Sequence, residues 1–335
     1  MYLAATATLF AATFFYLFHL LFYTPYIVRR HMLKHPNVYV SENFVPGEGD
    51  IKEVQSALNE KCQTYLTMFN EANAKRPYDI VHLSFGPYLL NGVVSVQAIE
   101  DLKRLTPSHL DRSPHEKRTI GQMFKNWFGL IPSNTTWKTR RHFIGMALAN
   151  QVSEKIPLFL RTIQSKAGSY KVGERIDLLE LFQRCSMSAV TNILFGDCSG
   201  APLVPYVDSS GLSHLVSLEE SYMRVYMDCD AAFKTVLNQL FPVLLDKHIG
   251  PLNRRNYNNR LAFDEGLRKF LANSAQDSTL YGRLKMELGV SEEEIMEDLK
   301  GLIFAGFDST SRGCAGTVYR LLTNPHYLKR LRIQM

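Results

Sequence analysis

The chain has 335 residues, of which 46% are apolar, enough to build a sizeable core and to exclude a disordered chain. Its net charge of +6 is spread along the sequence, which argues weakly for an anionic lipid or acidic partner and against a nucleic-acid module. The five cysteines, Cys62, Cys185, Cys198, Cys229 and Cys314, are odd in number, irregularly spaced and without a CxxC pair, so neither a disulfide framework nor a zinc knuckle is indicated and a reducing compartment fits best.

Residues 1–28 contain no Asp, Glu, Lys or Arg. That run exceeds the roughly 18 apolar residues that mark a membrane span. It also lacks the charged start and short apolar core of a cleaved signal peptide, which favours a retained anchor. Arg29, Arg30 and Lys34 follow at once, and the positive-inside tendency then puts the body on the cytosolic side. On that topology the sequon Asn134, Thr135, Thr136 stays unglycosylated.

Residues 29–49 read as a basic linker with Pro36, Pro46, Gly47 and Gly49. Asp50 can cap a helix in which Ile51, Val54, Leu58, Cys62, Tyr65 and Phe69 recur at helical spacing. Ile80 to Phe85 and Tyr88 to Ser95 read as two strands turned by Gly86 and Pro87. From about 96 the pattern is mostly helical, broken by an aromatic-containing segment near 105–133 and a Gly/Pro-containing loop near 196–206. The fold class is mainly α with minor β, with residues 50–335 forming one domain.

The clearest helix starts at Ser291, with Glu294 placed for a capping box and an acidic first turn. It runs to the Asn324, Pro325 pair; some 30 residues give roughly 45 Å, long enough to cross a domain. Within it lies "FAGFDSTS", residues 304–311. Gly306 costs about 1 kcal/mol against Ala in a helix, which suggests that something bulky and flat approaches the backbone. Ser309 can turn its hydroxyl onto the carbonyl of Ala305 and open a notch beside Asp308. An acid and an alcohol side by side are the parts of a proton relay. The plainer alternative is a helix-packing glycine with an Asp on a solvated face.

Ala305, Gly306, Phe307, Asp308, Ser309, Thr310 resembles the central-helix signature of the cytochrome P-450 haem-thiolate monooxygenases, with Ser309 where threonine is usual. Trp137, Lys138, Thr139, Arg140, Arg141 resembles the family's Trp-x-x-x-Arg helix, whose i, i+4 spacing puts indole and guanidinium on one face. A surface cation–π pair is the structural alternative there. The run "RTIGQMFKNWFGLIPSNTTWKTRRHF" is similar to microsomal members, above all the fatty-acid hydroxylase branch. "VQAIEDLKR" and "NILFGD" extend the likeness over nearly the whole chain.

The resemblance implies a cytochrome P-450 fold behind a transmembrane helix and a monooxygenase inserting one oxygen atom of O2 into a lipophilic substrate, with a fatty acid suggested by the branch. It implies haem b as cofactor, electrons from NADPH through a partner reductase, and the endoplasmic reticulum membrane as location. Trp137 and Arg141 would hold a haem propionate, Ala305 and Gly306 would make room for oxygen, and Asp308 with Ser309 or Thr310 would convey protons. The segment near 105–133 would help shape the substrate pocket.

Family members continue into a helix bearing Glu-x-x-Arg and a loop whose cysteine binds the iron. This chain stops at Met335, before both, and none of its five cysteines lies in the Phe-x-x-Gly-x-x-x-Cys-x-Gly context of that loop, so the metal ligand is expected to be absent and the fold to lack its C-terminal part, as a fragment inactive alone. The competing class is a non-catalytic, membrane-tethered helical interaction protein derived from the same fold. Lys138 and Arg140 are expected to point away from the Trp137 stripe, where they would dock an acidic reductase or be plain solvated charge. His31 and His35 have metal-pair spacing without a third ligand, and Gly211 to His214 reads as a turn or helix start rather than a hydrolase elbow. No Walker or dinucleotide loop appears.

Overall fold

The computed structural model describes residues 2–59, 74, 77–106, 108–112, 120–171, 173–196, 201–273, 279–287 and 289–334. Cys62, Tyr65 and Phe69 of the expected third helix, and Cys198, lie outside the described residues. The chain divides into two compact units, Met1–Asp111 and Arg112–Met335.

In the first unit, α1 (Tyr2–Phe18), a π-turn (His19–Tyr23) and α2 (Thr24–Met32) follow one another without a break. Ala5–Met32 is long and apolar enough to cross a membrane. Strand β1 (Val38–Val40) is parallel to β2 (Ile80–Phe85), which pairs antiparallel with β3 (Tyr88–Val93) across the expected Gly86, Pro87 turn. Gly86 has φ +56, the left-handed region that glycine enters without penalty. Asp50 precedes α3 (Ile51–Asn59), yet its buried carboxylate reaches the sheet, accepting from Ser84 N at 2.7 Å with Arg29 at 4.0 Å. Helix α4 (Val96–Leu105) closes the unit's described elements, capped by Ser95.

Among its described residues, the second unit is mainly helical and carries one hairpin. Helix α5 (Thr135–Gly168) begins at the cap Asn134, and α6 (Leu178–Phe195) at the cap Asp177. Strands β4 (Val204–Val207) and β5 (Ser213–Val216) pair antiparallel, so Gly211 to His214 is the end of a hairpin turn and the start of a strand, not a helix start. Asp208 closes that turn by accepting from the backbone N–H groups of Ser210 and Leu212, and Gly211 takes φ +88. Helix α7 (Leu218–Phe233), the short α8 (Val236–Leu240) and α9 (Val243–Asp246), then α10 (Pro251–Asn273) and α11 (Leu280–Glu287), lead to the central α12 (Glu292–Thr323) and to α13 (Pro325–Gln334).

Helix α12 starts with the expected capping box: Ser291 Oγ accepts from Glu294 N while the Glu294 carboxylate accepts from Ser291 N. Its first half is buried at Ile295, Met296, Leu299, Ile303 and Phe307, spaced three and four apart so that one stripe faces the core. That stripe joins Phe124, Ile144, Met187, Leu194, Tyr222, Phe263 and Leu267 in one cluster. Tyr222 finds its polar partner by donating to Lys300 O at 2.7 Å.

Candidate functional site

The first two turns of α5 carry the candidate carboxylate-binding pair. Asn134 Oδ1 accepts from Trp137 N at 3.0 Å, fixing the start of the helix. Arg140, Ile144 and Ala147 point inward and are buried. Trp137, Arg141 and Gly145 fall on the adjoining face, one turn apart, and line an open cavity of about 530 Å³ with Lys138, His142, Met146 and Ala149.

The Arg141 guanidinium lies 5.0 Å from the Trp137 ring centroid, so the cation–π alternative describes this pair correctly. A second guanidinium, that of Arg112, lies 4.9 Å from the same ring. It is held by Gly129 O at 2.6 Å, Ile131 O at 2.8 Å and Ser133 Oγ at 2.8 Å. The pairing leaves Trp137 Nε1 buried and, among the described residues, without a hydrogen-bond partner. An unspent buried donor is costly, and this one sits among positive charges at the edge of a cavity. An indole N–H with a guanidinium fork is a donor set suited to a carboxylate, so these residues fit one propionate of a haem. Nothing near Arg112 in the sequence marks it as part of the site, because its tie to Trp137 exists only after folding.

Arg140 contradicts its expected place. It is 2% exposed, so it does not point to solvent and cannot meet a partner protein. Its Nη2 lies 2.6 Å from Asp298 Oδ1, and its Nε donates to Asp298 Oδ2 at 2.8 Å. Glu294 adds a weaker contact at 3.6 Å. Burial raises the Asp298 carboxyl to about 6, with Arg140 opposing the rise. Lys138 is exposed but lines the Trp137 cavity instead of pointing away from it.

On α12, Ser309 Oγ donates to Ala305 O at 2.8 Å, the back-bond expected from the spacing. Gly306 needs a different account. A Cβ there would lie 2.8 Å from Val190 Cγ2, so the missing side chain makes room for α6, as the helix-packing alternative expects. The flat group that does approach a glycine of this helix is the protein's own Trp127, whose indole fills the place of a Cβ at Gly301. Ala305 and Ser309 are exposed along with Gly313 and Gly316, where a Cβ would meet nothing within 4 Å. That row forms an open face of small residues on the central helix.

Asp308 is half-buried rather than solvated. Its carboxylate pairs with Arg312 at 3.0 Å and lines a cavity of about 280 Å³ with Gln183, Met223, Tyr226, Met227, Asp230 and Phe307. Burial, with the negative charge of Asp308, pushes the Tyr226 hydroxyl up to about 12. Thr310 is exposed. The Asp308 cavity and the Trp137 cavity share no lining residue, so the structure does not bring the two candidate groups into one pocket.

Elsewhere, His31 and His35 bring their Nε2 atoms within 3.4 Å, and no group of three or more His, Cys, Asp or Glu suited to a metal occurs among the described residues. Cys185, Cys229 and Cys314 are free thiols, and burial raises the first two.

The sequence pattern of the cytochrome P450 family matches residues 51–334. No curated protein matches the chain. Among solved structures it is similar to a retinoic acid bound cyanobacterial CYP120A1, with 12% identity and a TM-score of 0.60 over 89% of this chain and 62% of that one. The chain thus spans about three fifths of that protein's length. A family match from the third helix to the last, on a mainly helical body with an open small-residue face on its central helix, settles the classification: the chain belongs to the cytochrome P450 family.

Proposed function

We propose that this chain serves a haem-dependent monooxygenase acting on a lipophilic substrate, with Trp137 and Arg141 as the donors that hold a haem carboxylate. The observation that carries the reading is the buried Trp137 N–H, which has no hydrogen-bond partner among the described residues, on an indole that two guanidinium groups approach at a cavity edge. When bound, haem supplies the oxygen-activating iron chemistry. Arg112, 4.9 Å from the ring centroid, braces the indole and adds positive potential. Ala305 and Ser309 would offer the open face of the central helix, with Gly306 beside them packed against Val190.

Proton delivery is the role of the Asp308 carboxylate. Arg312 holds it at 3.0 Å on the wall of a cavity. Ser309 Oγ, which donates to Ala305 O, or the exposed Thr310 Oγ1 would supply the hydroxyl of the relay. The Ala5–Met32 helix supports a membrane anchor, and the basic residues after it support a cytosolic body at the endoplasmic reticulum. NADPH electrons would arrive through a reductase. The likeness of residues 118–143 to fatty-acid hydroxylases supports a fatty acid as substrate, and the similar cyanobacterial protein was solved with another lipophilic carboxylate, retinoic acid.

The test is a porphyrin titration of the full chain in detergent, followed by absorbance. Trp137→Phe and Arg141→Gln are each expected to weaken iron protoporphyrin IX binding about ten- to a hundredfold, the size of one charge-assisted hydrogen bond. Affinity unchanged in both variants would overturn the reading.

A further inference from the structure

The function just proposed makes no use of Asp298, although this carboxylate ties together three separate stretches of chain. Its Oδ1 accepts from Phe128 N at 2.8 Å, and its Oδ2 accepts from Arg140 Nε at 2.8 Å. Arg140 in turn donates through Nη2 to Asn126 O at 3.1 Å and to Glu294 O at 3.2 Å. Between the two loop residues, Trp127 lies on Gly301, one turn further along the same helix. The 126–128 loop, the start of α5 and the start of α12 therefore meet at one ion pair.

Such a pair is a weak source of stability, since burying both charges costs nearly as much as their attraction returns, and a well-packed apolar pair can serve as well. What it supplies is orientation. A guanidinium fork meets a carboxylate in a narrow set of planar geometries, unlike the point charge of a lysine. Successive helix residues are turned by about 100°. The rotation of α5 that presents Arg140 to Asp298 is therefore the rotation that turns Trp137 and Arg141 toward the cavity. Ile144 and Ala147, the apolar contacts on the buried face, leave the helix freer to roll about its axis than a forked ion pair does.

We infer that Arg140 is a positioning residue: gripped by Asp298 on the central helix, it fixes the roll of α5 and so aims the Trp137 N–H and the Arg141 guanidinium at the carboxylate of a porphyrin. The inference rests on the carboxylate-holding role proposed above for Trp137 and Arg141. It assigns to Arg140 an orienting duty, with no contact to the porphyrin.

The experiment compares iron protoporphyrin IX with its dimethyl ester, which has the same ring and no free carboxylates, in absorbance titrations of the full chain. Asp298→Asn keeps the shape of the acid, and Arg140→Lys keeps the charge but loses the fork. Both variants are expected to lose about tenfold of the preference for the free acid, a loss typical of removing a residue that orients a ligand, while affinity for the ester stays unchanged. Far-UV circular dichroism identifies a variant that fails to fold, and the other variant then carries the comparison. A preference retained in the folded variants overturns the inference, as does an equal loss for both porphyrins, which marks the pair as general scaffold. If the unmodified chain shows no preference for the free acid, the carboxylate role of Trp137 and Arg141 fails and takes the inference with it. If that preference is lost in Trp137→Phe but kept in Asp298→Asn and Arg140→Lys, only the inference fails.

Discussion

Arg140 and Arg141 are neighbours in sequence with opposite surroundings: one is sealed against Asp298, the other stacks on an indole at an open cavity. Their truncations should differ accordingly. Arg140→Ala strands a buried carboxylate and is expected to cost about 3–5 kcal/mol, whereas Arg141→Ala loses an exposed cation–π contact worth about 0.5–1 kcal/mol. Urea unfolding of the two variants measures the contrast, and equal losses would contradict it. Asp298 adds a pH signature. Its carboxyl is raised from 3.8 to about 6 in the folded chain, so between those values the folded state holds a proton that the unfolded state has released. Its contribution to stability is therefore largest below that window, falls as pH rises through it, and is smallest above it. The stability of the natural chain minus that of Asp298→Asn is expected to decrease from about pH 4 to about pH 7. A flat difference across this range would place the carboxyl in an ordinary environment, and an increasing one would mean that Arg140 outweighs burial and lowers it.

At the scale of elements, the two glycines of α12 separate two kinds of packing. Gly301 is filled by the rigid ring of Trp127, and Gly306 by the movable end of Val190. Gly301→Ala is expected to destabilise by about 1–3 kcal/mol or more, because a ring wedged among Phe124, Phe128 and Phe304 cannot step aside. Gly306→Ala should cost less, and Val190→Ala should recover most of that loss in a double-mutant cycle measured by thermal unfolding. Additive losses would show that the glycine is not there for Val190. These pairings also show what the sequence could and could not disclose. The capping box at Ser291 and Glu294, the strand pair around Gly86, and the bond from Ser309 to Ala305 are decided within three or four residues, and each stands where its spacing put it. The grip of Arg140 on Asp298 spans 158 residues, and the seat of Trp127 on Gly301 is similarly remote. Periodicity could not tell which arginine of the adjacent pair faces inward, since both sit on a helix with polar neighbours. The hairpin of β4 and β5 escaped notice because its strands are four residues each and are joined by loop-forming residues.

Across the whole molecule, residues 51–334 lie within the family pattern and the apolar helix Ala5–Met32 precedes all of that stretch. Deleting residues 1–28 is expected to move the protein from a carbonate-washed membrane pellet to the supernatant, and a glycosidase shift assay is expected to find no glycan at Asn134. A truncated chain that still pellets, or a glycan on Asn134, would reverse the proposed topology. The joint at Asp298 also bears on how the protein answers to its surroundings. Surface pairs such as Glu180 with Arg184, each about half exposed, weaken as ionic strength rises, because mobile counterions gather around charges within roughly 10 Å at 0.1 M. No counterion can reach Arg140 or Asp298, so brine that loosens the exterior leaves the inner coupling intact. Mild acid has the reverse selectivity, neutralising the interior carboxyl while exposed partners keep their charge.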